Sequence, residues 1–249
     1  LIKVSIITVC FNSEKTIKDT IKSVIGQDYP EIEYIIVDGG SQDNTLSIIE
    51  SYHRSITKII SEEDRGMYDA LNKGIKNSNG QIIGILNSDD TFSDKTVISS
   101  IVNSFVTSKV DLIWGDVIFV DKKMKVRRVY SGADISPLSF NWGIMPPHPS
   151  VFVKKDCYKK FGYFNIKYKI ASDYDLLFRF LTLNNLKYYY LPKVLVKMKI
   201  GGASNSSISS IFKLNKEIYE IHRANGVPIS VIHLIKKVPR RILELIKRP

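Results

Sequence analysis

Val4-Ser5-Ile6-Ile7-Thr8-Val9 is a short apolar run rich in β-branched residues, and its reading decides the fold. Such a run is the mark of a strand buried in a sheet. Asn12-Ser13 then offers a cap, and Ile17, Ile21, Val24 and Ile25 return at helical spacing. The unit repeats. A second strand at 33–37 ends in Asp38-Gly39-Gly40-Ser41, and Leu46, Ile49 and Tyr52 keep helical spacing before a third strand at 57–60. Residues 67–76 read as a helix, 81–86 as a fourth strand, and 94–106 as a helix leading to strands at 112–114 and 117–120. This β-α-β-α alternation predicts a mostly parallel central sheet with helices on both faces. Ligands of such sheets bind beyond the carboxyl ends of the strands.

Past residue 120 the alternation loosens. Residues 125–130 read as a hairpin arm, 150–153 as a strand, 173–183 as a helix, and 188–190 and 194–196 as late strands. The chain has 249 residues, enough for one large α/β domain with an appendage. We divide it into 1–120, 121–204 and a C-terminal segment 205–249. Two cysteines, Cys10 and Cys157, have no metal-ligand spacing and read as small core residues, which suits a reducing compartment. No apolar run approaches the roughly 18 residues of a spanning helix. Leu1-Ile2-Lys3 leads straight into a strand, so a cytoplasmic protein is expected.

The carboxylates carry the chemistry. Asp38 closes the second strand, and Asp89-Asp90 close the fourth, so a parallel sheet brings them to one rim. Asp38 alone suits a turn before two glycines, and either Asp89 or Asp90 alone suits a turn before a helix. Side by side, however, Asp89 and Asp90 repel each other, which a turn does not require. A divalent cation held by one or two carboxylates and by phosphate oxygens removes that repulsion.

Five stretches now stand in order: VSIITVCFN (4–12), VDGGSQDNT (37–45), DRGMYDALNKGI (64–75), LNSDD (86–90) and ASDYDLLFR (171–179). Together they resemble the family 2 inverting glycosyltransferases of the GT-A fold, especially bacterial enzymes of surface-polysaccharide synthesis. The resemblance spans about residues 2–204. It implies a metal-dependent inverting enzyme that moves a sugar from a nucleoside-diphosphate sugar, by preference a UDP-sugar, to a sugar hydroxyl with a β-linkage. Residues 1–120 become the nucleotide-sugar half and 121–204 the acceptor half. Phe11 matches an aromatic that stacks on the base, where Tyr is more usual, and Val9 lines the same pocket through its backbone. Asp38 accepts a hydrogen bond from the base, Arg65 sits beside base or diphosphate, and Asp89 holds the ribose. Asp90 binds Mg²⁺ or Mn²⁺; Asn87 replaces an Asp often seen first in this motif.

Asp173 matches the family's catalytic base, with Ser172 where Glu is usual. A helix start favours its ionised form, although an ordinary N-cap is the plain alternative. Asp175 is read as structural, with Arg179 one turn later as its partner. Gly202 and Ser204 match a glycine-serine loop near the diphosphate. His148, in Pro146-Pro147-His148-Pro149, is expected either to touch acceptor or donor sugar or to serve only as a turn residue. Trp142 is expected either to stack on a sugar or to fill the core.

The net charge of +11 is concentrated late: residues 205–249 hold nine Lys or Arg against three Glu, a net +6. At helical spacing Val231, Leu234, Ile235, Val238, Ile242, Leu245 and Ile246 share one face and Lys236, Lys237, Arg240, Arg241, Lys247 and Arg248 the other, with Pro239 as a kink. That face has three candidate partners: an anionic inner membrane leaflet, the catalytic domain, or a second subunit in a homodimer. A lipid-linked saccharide acceptor, implied by the resemblance, would make membrane contact useful. Two other functions are weighed. A sugar-phosphate nucleotidyltransferase needs a Gly-rich basic loop after the first strand, and Phe11-Asn12-Ser13-Glu14-Lys15 lacks the glycines. A nucleic-acid-binding protein needs basic residues interleaved with aromatics across a face, whereas here the charge gathers in a tail.

Overall fold

A computed structural model describes residues 1–200 and 208–230. The first half follows the alternation: β1 (Val4–Cys10), α1 (Ile17–Ile25), β2 (Ile32–Asp38), α2 (Thr45–Glu50), β3 (Lys58–Ser61), α3 (Met67–Asn77) and β4 (Ile82–Ile85). Then come β5 (Asp90–Phe92), α4 (Val97–Ser108), β6 (Leu112–Val120), β7 (Val126–Tyr130), β8 (Phe152–Lys154) and α5 (Lys155–Phe161). The chain continues through α6 (Ser172–Phe178), β9 (Tyr188–Lys199) and α7 (Ile208–Ala224).

The strands form one sheet in the order β3-β2-β1-β4-β8-β6-β9-β5, with β7 on β6. Both faces are covered, which is why β1 is buried along its whole length and apolar apart from Ser5 and Thr8. Ile7 and Val9 point into a core shared with α3 and α6, while Val4 and Ile6 point into a second core with α1 and α4. The period-two alternation of β2 does the same: Ile35 and Val37 go one way, Tyr34 and Ile36 the other.

The parallel part is β3-β2-β1-β4. Beyond it the sheet is mixed: β8 runs antiparallel to β4 and β6, β9 is parallel to β6, and β5 and β7 are antiparallel to their partners. Two pairs of expected strands are single strands. β6 runs through Gly115 and β9 through Pro192, because Trp114 pairs with Tyr190 but Asp116 with Val194, leaving residues 191–193 opposite Gly115. That bulge accommodates a proline without a lost ladder bond. Asp90 does not close β4, which ends at Ile85; it opens β5 and pairs with Met198. The helix expected to 183 changes to a π-type turn at Arg179–Leu183. Asn12-Ser13 caps α1 through the Ser13 carbonyl, which accepts from the Thr16 and Ile17 N–H groups, and not through a side chain.

α7 packs beside α6: Ile218 and Ile221 enter the same core as Ile7, Tyr174 and Phe178. The amphipathic stretch 231–246 lies outside the described residues, as do Gly202 and Ser204. Among the described residues no helix is long and apolar enough to cross a membrane.

Candidate active site

The carboxyl ends of β1, β2 and β4 meet at one rim, where three loops are laced together. Asn12 takes a left-handed backbone (φ +49°), which aims its amide oxygen at Gln42 N–H (2.9 Å) while its own N–H donates to Ser41 Oγ (2.8 Å). Ser13 Oγ lies 2.9 Å from Ser88 Oγ, joining the loop after β1 to the loop after β4. Phe11 stands out of this lattice with 60% of its surface exposed, an open aromatic face at the rim. Val9 is buried opposite Val37, so only its backbone is available there.

Asp38 is fully buried. Its carboxylate accepts from Ser41 Oγ (2.5 Å), Ser41 N–H (3.1 Å) and Ser61 Oγ (2.8 Å), the turn-forming role anticipated as the plain reading. With the side chain fully buried, a nucleobase N–H could reach it only if the surrounding loops moved. The next residue, Gly39, leaves room for a neighbour: a Cβ there would push the Asp64 carboxylate aside. Asp64 in turn accepts from Gly66 N–H (2.7 Å), at a backbone conformation (φ +113°) that disfavours any side chain. Arg65 is exposed and paired with Asp69 at 3.3 Å.

Asp90 is 1% exposed. Its Oδ2 accepts from the Asn87 amide (3.1 Å), which gives Asn87 a role, but its Oδ1 is buried without a hydrogen-bond partner. Burial first, and the neighbouring Asp89 second, push the Asp90 carboxyl well above the usual range; burial raises Asp89 as well. Lys199 is the cation that offsets this pair, yet its ammonium is spent on Asp19 at 2.8 Å. An orphaned carboxylate oxygen beside a second carboxylate fits a hard divalent cation whose other ligands come from phosphate and water. Among the described residues no three His, Cys, Asp or Glu cluster into a complete metal site.

A second cluster is built around Asp173, the second residue of α6, with 13% of its side chain exposed. His148 Nδ1 lies 3.1 Å from Asp173 Oδ2. Tyr174 N–H donates to Oδ1 (2.8 Å), and the Tyr68 hydroxyl, which donates to Ile170 O (2.7 Å), lies 3.4 Å from Oδ1. Burial, followed by the charge of Asp173, raises the Tyr68 phenol and keeps it protonated. Below, Asp175 and Arg179 form the expected pair at 2.9 Å, and the guanidinium also donates to the Phe161 and Tyr163 carbonyls. Trp142 is part-exposed at the end of the 137–142 turn, whose Phe140 carbonyl accepts from Tyr174. The fully buried tryptophan is Trp114.

The rim and the Asp173 cluster share a strut. Asp64 lies against Gly39 and Tyr68 against Asp173, and four residues of extended chain span at most about 14 Å. Residues 64–68 therefore link the Asp38 end of β2 to the loop that carries Asp173, and Ser88 ties the Asp89-Asp90 loop to the loop after β1. Sequence reasoning gave no role to Asp64 and Tyr68, although both stand in the DRGMYDALNKGI stretch, and it left open what His148 touches.

Residues 5–172 match the model of Glycosyl transferase family 2, a match that ends one residue before Asp173. An uncharacterized glycosyltransferase of Mycobacterium tuberculosis is 31% identical over 179 residues, covering 71% of this chain and 68% of that protein. A PGL/p-HBAD biosynthesis glycosyltransferase of Mycobacterium bovis is 26% identical over 215 residues, 84% of this chain and 81% of that one. Among solved structures, S. aureus TarS superposes with a TM-score of 0.68 at 20% identity; the match covers 98% of this chain but only 43% of TarS. The mannosyltransferase PcManGT of Pyrobaculum calidifontis, in complex with GDP-Man and Mn2+, gives 0.69 at 16% identity, covering 98% and 69%. At these identities the structural likeness is one of fold, the GT-A architecture.

Proposed function

The chain belongs to glycosyl transferase family 2, and on that premise we propose that it is an inverting transferase for a nucleoside-diphosphate sugar, in the first place a UDP-sugar. The observation that supports this reading is the buried Asp89-Asp90 pair with an unpartnered Asp90 Oδ1, together with an exposed Phe11 and an Asp173 carboxylate held by His148. TarS has been crystallised with UDP-GlcNAc and PcManGT with GDP-Man and Mn2+, which supports a nucleotide-sugar donor.

In this reading Phe11 stacks on the base and Asp89 takes the ribose hydroxyls. Asp90 offers Oδ1 to Mg²⁺ or Mn²⁺, which when bound supplies a Lewis acid that offsets charge on the departing diphosphate. Asp173 faces the anomeric carbon from the other side. It removes the proton of an acceptor hydroxyl as that oxygen bonds to the anomeric carbon and the bond to the β-phosphate oxygen breaks with its electron pair. Attack opposite the leaving group turns an α-linked donor into a β-linked product. Proton transfer from such a base contributes ~10²–10⁴-fold. His148 serves by fixing the carboxylate. The acceptor is proposed to be a lipid-linked saccharide of a bacterial surface polysaccharide, met at the cytoplasmic membrane face, with residues 231–249 as the surface contact.

The test is a thermal-shift screen of UDP, GDP and dTDP with Mn²⁺, followed by turnover of the matching sugar donors. Asp173→Asn is expected to bind nucleotide as the parent does and to lose transfer. Substantial turnover in that variant would remove Asp173 as the base.

A further inference from the structure

α7 lies wholly beyond the stretch that matches the family model, yet its polar side chains reach the loop that carries Asp173. Glu217 is only 7% exposed. Its carboxylate accepts from three consecutive backbone N–H groups: Lys169 (3.1 Å), Ile170 (2.9 Å) and Ala171 (2.9 Å). One turn further along α7, fully buried His222 lies 2.8 Å from the Tyr174 hydroxyl, on the residue after Asp173, and its other ring nitrogen lies 3.2 Å from Val227 O. Both contacts flank Asp173, one from each side in sequence.

We propose that Glu217 is a positioning residue for the transfer reaction, which makes α7 a working part of the active site; the inference rests on Asp173 being the base. The argument is geometric. Residues 169–171 lead into α6, whose first N–H groups have no intrahelical acceptor. Ala171 is the last residue before the helix, and Asp173 is its second residue. On one side, Ile170 O is fixed by the Tyr68 hydroxyl of α3; on the other, the three N–H groups are fixed by Glu217 of α7. The loop is thus clamped from both halves of the protein. A side chain serving only to anchor α7 would need one such bond; three in a row set the path of the backbone that delivers the carboxylate. A displacement near 1 Å at a reacting group costs ~10²-fold in rate, so a modest relaxation of this loop reads out in turnover.

The experiment uses the full chain with Glu217→Gln and Glu217→Ala, and Asp173→Asn in parallel. Donor is UDP-GlcNAc or GDP-mannose, whichever the parent turns over faster. Hydrogen exchange of the peptide covering 169–175 gives a readout independent of substrate. Glu217→Gln keeps one carbonyl acceptor but sets an NH₂ group against a backbone donor. It is expected to lower kcat ~10-fold, with KM for the donor and the UDP affinity unchanged, and to speed exchange in 169–175 but not in 38–45. Glu217→Ala is expected to lose more; if it does not fold, the Gln variant alone decides. Parental kcat in Glu217→Gln, whether or not its melting point falls, would overturn the proposal and leave Glu217 an anchor only. Retained turnover in Asp173→Asn would instead sink the assignment of the base, so the two failures are distinguishable.

Discussion

His148 Nδ1 and Asp173 Oδ2 are 3.1 Å apart, a contact that joins the 148–150 turn before β8 to the second residue of α6. Ser150 fixes that turn: its buried hydroxyl reaches both the Gly115 and the Pro147 carbonyls (2.7 Å each). The His148 side chain is 36% exposed, so the ring that contacts Asp173 is also reachable from solvent.

If the ring acts by orienting the carboxylate, His148→Ala should lower kcat about tenfold, a part of the whole contribution of a general base. His148→Asn places an N–H donor where Nδ1 stood and should recover most of the loss. Steady-state kinetics on both variants checks this. An Asn variant as poor as Ala would assign the proton transfer to the imidazole.

Asp90 gives a prediction with opposite signs in two conditions. Its folded carboxyl is raised by burial and by Asp89, so its stabilising contribution belongs to the protonated form and is lost as pH rises through the folded value. Without metal, holding a charge at this position therefore works against the fold. Asp90→Asn should raise the melting temperature in EDTA, by roughly 2–4 °C for each kcal/mol relieved. The same variant should lose the further rise that Mn²⁺ with UDP gives the parent. Scanning calorimetry with and without the pair measures both.

Phe11 predicts binding without stability. Its ring is largely exposed, so Phe11→Ala should leave the melting temperature within a degree or so. Loss of a stacked base is worth about 1–3 kcal/mol, which weakens UDP binding by roughly 5- to 150-fold. Titration calorimetry decides; unchanged affinity would place the base elsewhere.

Both thiols should be inert in the native state. Burial raises Cys10, reinforced by the charge of Asp38, and pushes Cys157 up to about 11. At pH 8 a thiol reagent should modify neither residue until denaturant is added, when both should react at once.

The first four strands were legible because both faces of the sheet are covered, which leaves continuous apolar runs between helices of clear spacing. The later strands were not, for local reasons. Gly115 and Pro192 look like turn residues, and only their opposition in one bulge lets β6 and β9 pass through. β5 is three residues long and has no pattern to read. In the site, the adjacent Asp89 and Asp90 and the Asp175–Arg179 pair stand out by spacing, whereas Asp173 stands out only through its match to the glycosyltransferase motif, since an aspartate at a helix start is by itself an ordinary cap. Glu217 does not: on an amphipathic helix a glutamate reads as a solvated face, and its burial follows only from where α7 docks.

The strut from Asp64 to Tyr68 works as a yardstick between the end of β2 and the Asp173 loop. Its ends meet other elements, Asp64 at the close approach of Gly39 and Tyr68 at Ile170 O, and the bond from Gly66 N–H to Asp64 stiffens the segment from within. One residue added to it would part the two by up to about 3.5 Å, more than twice a covalent bond. Substitutions at either end retune what is gripped there, whereas the length of this segment gauges the reach required of any molecule that bridges both.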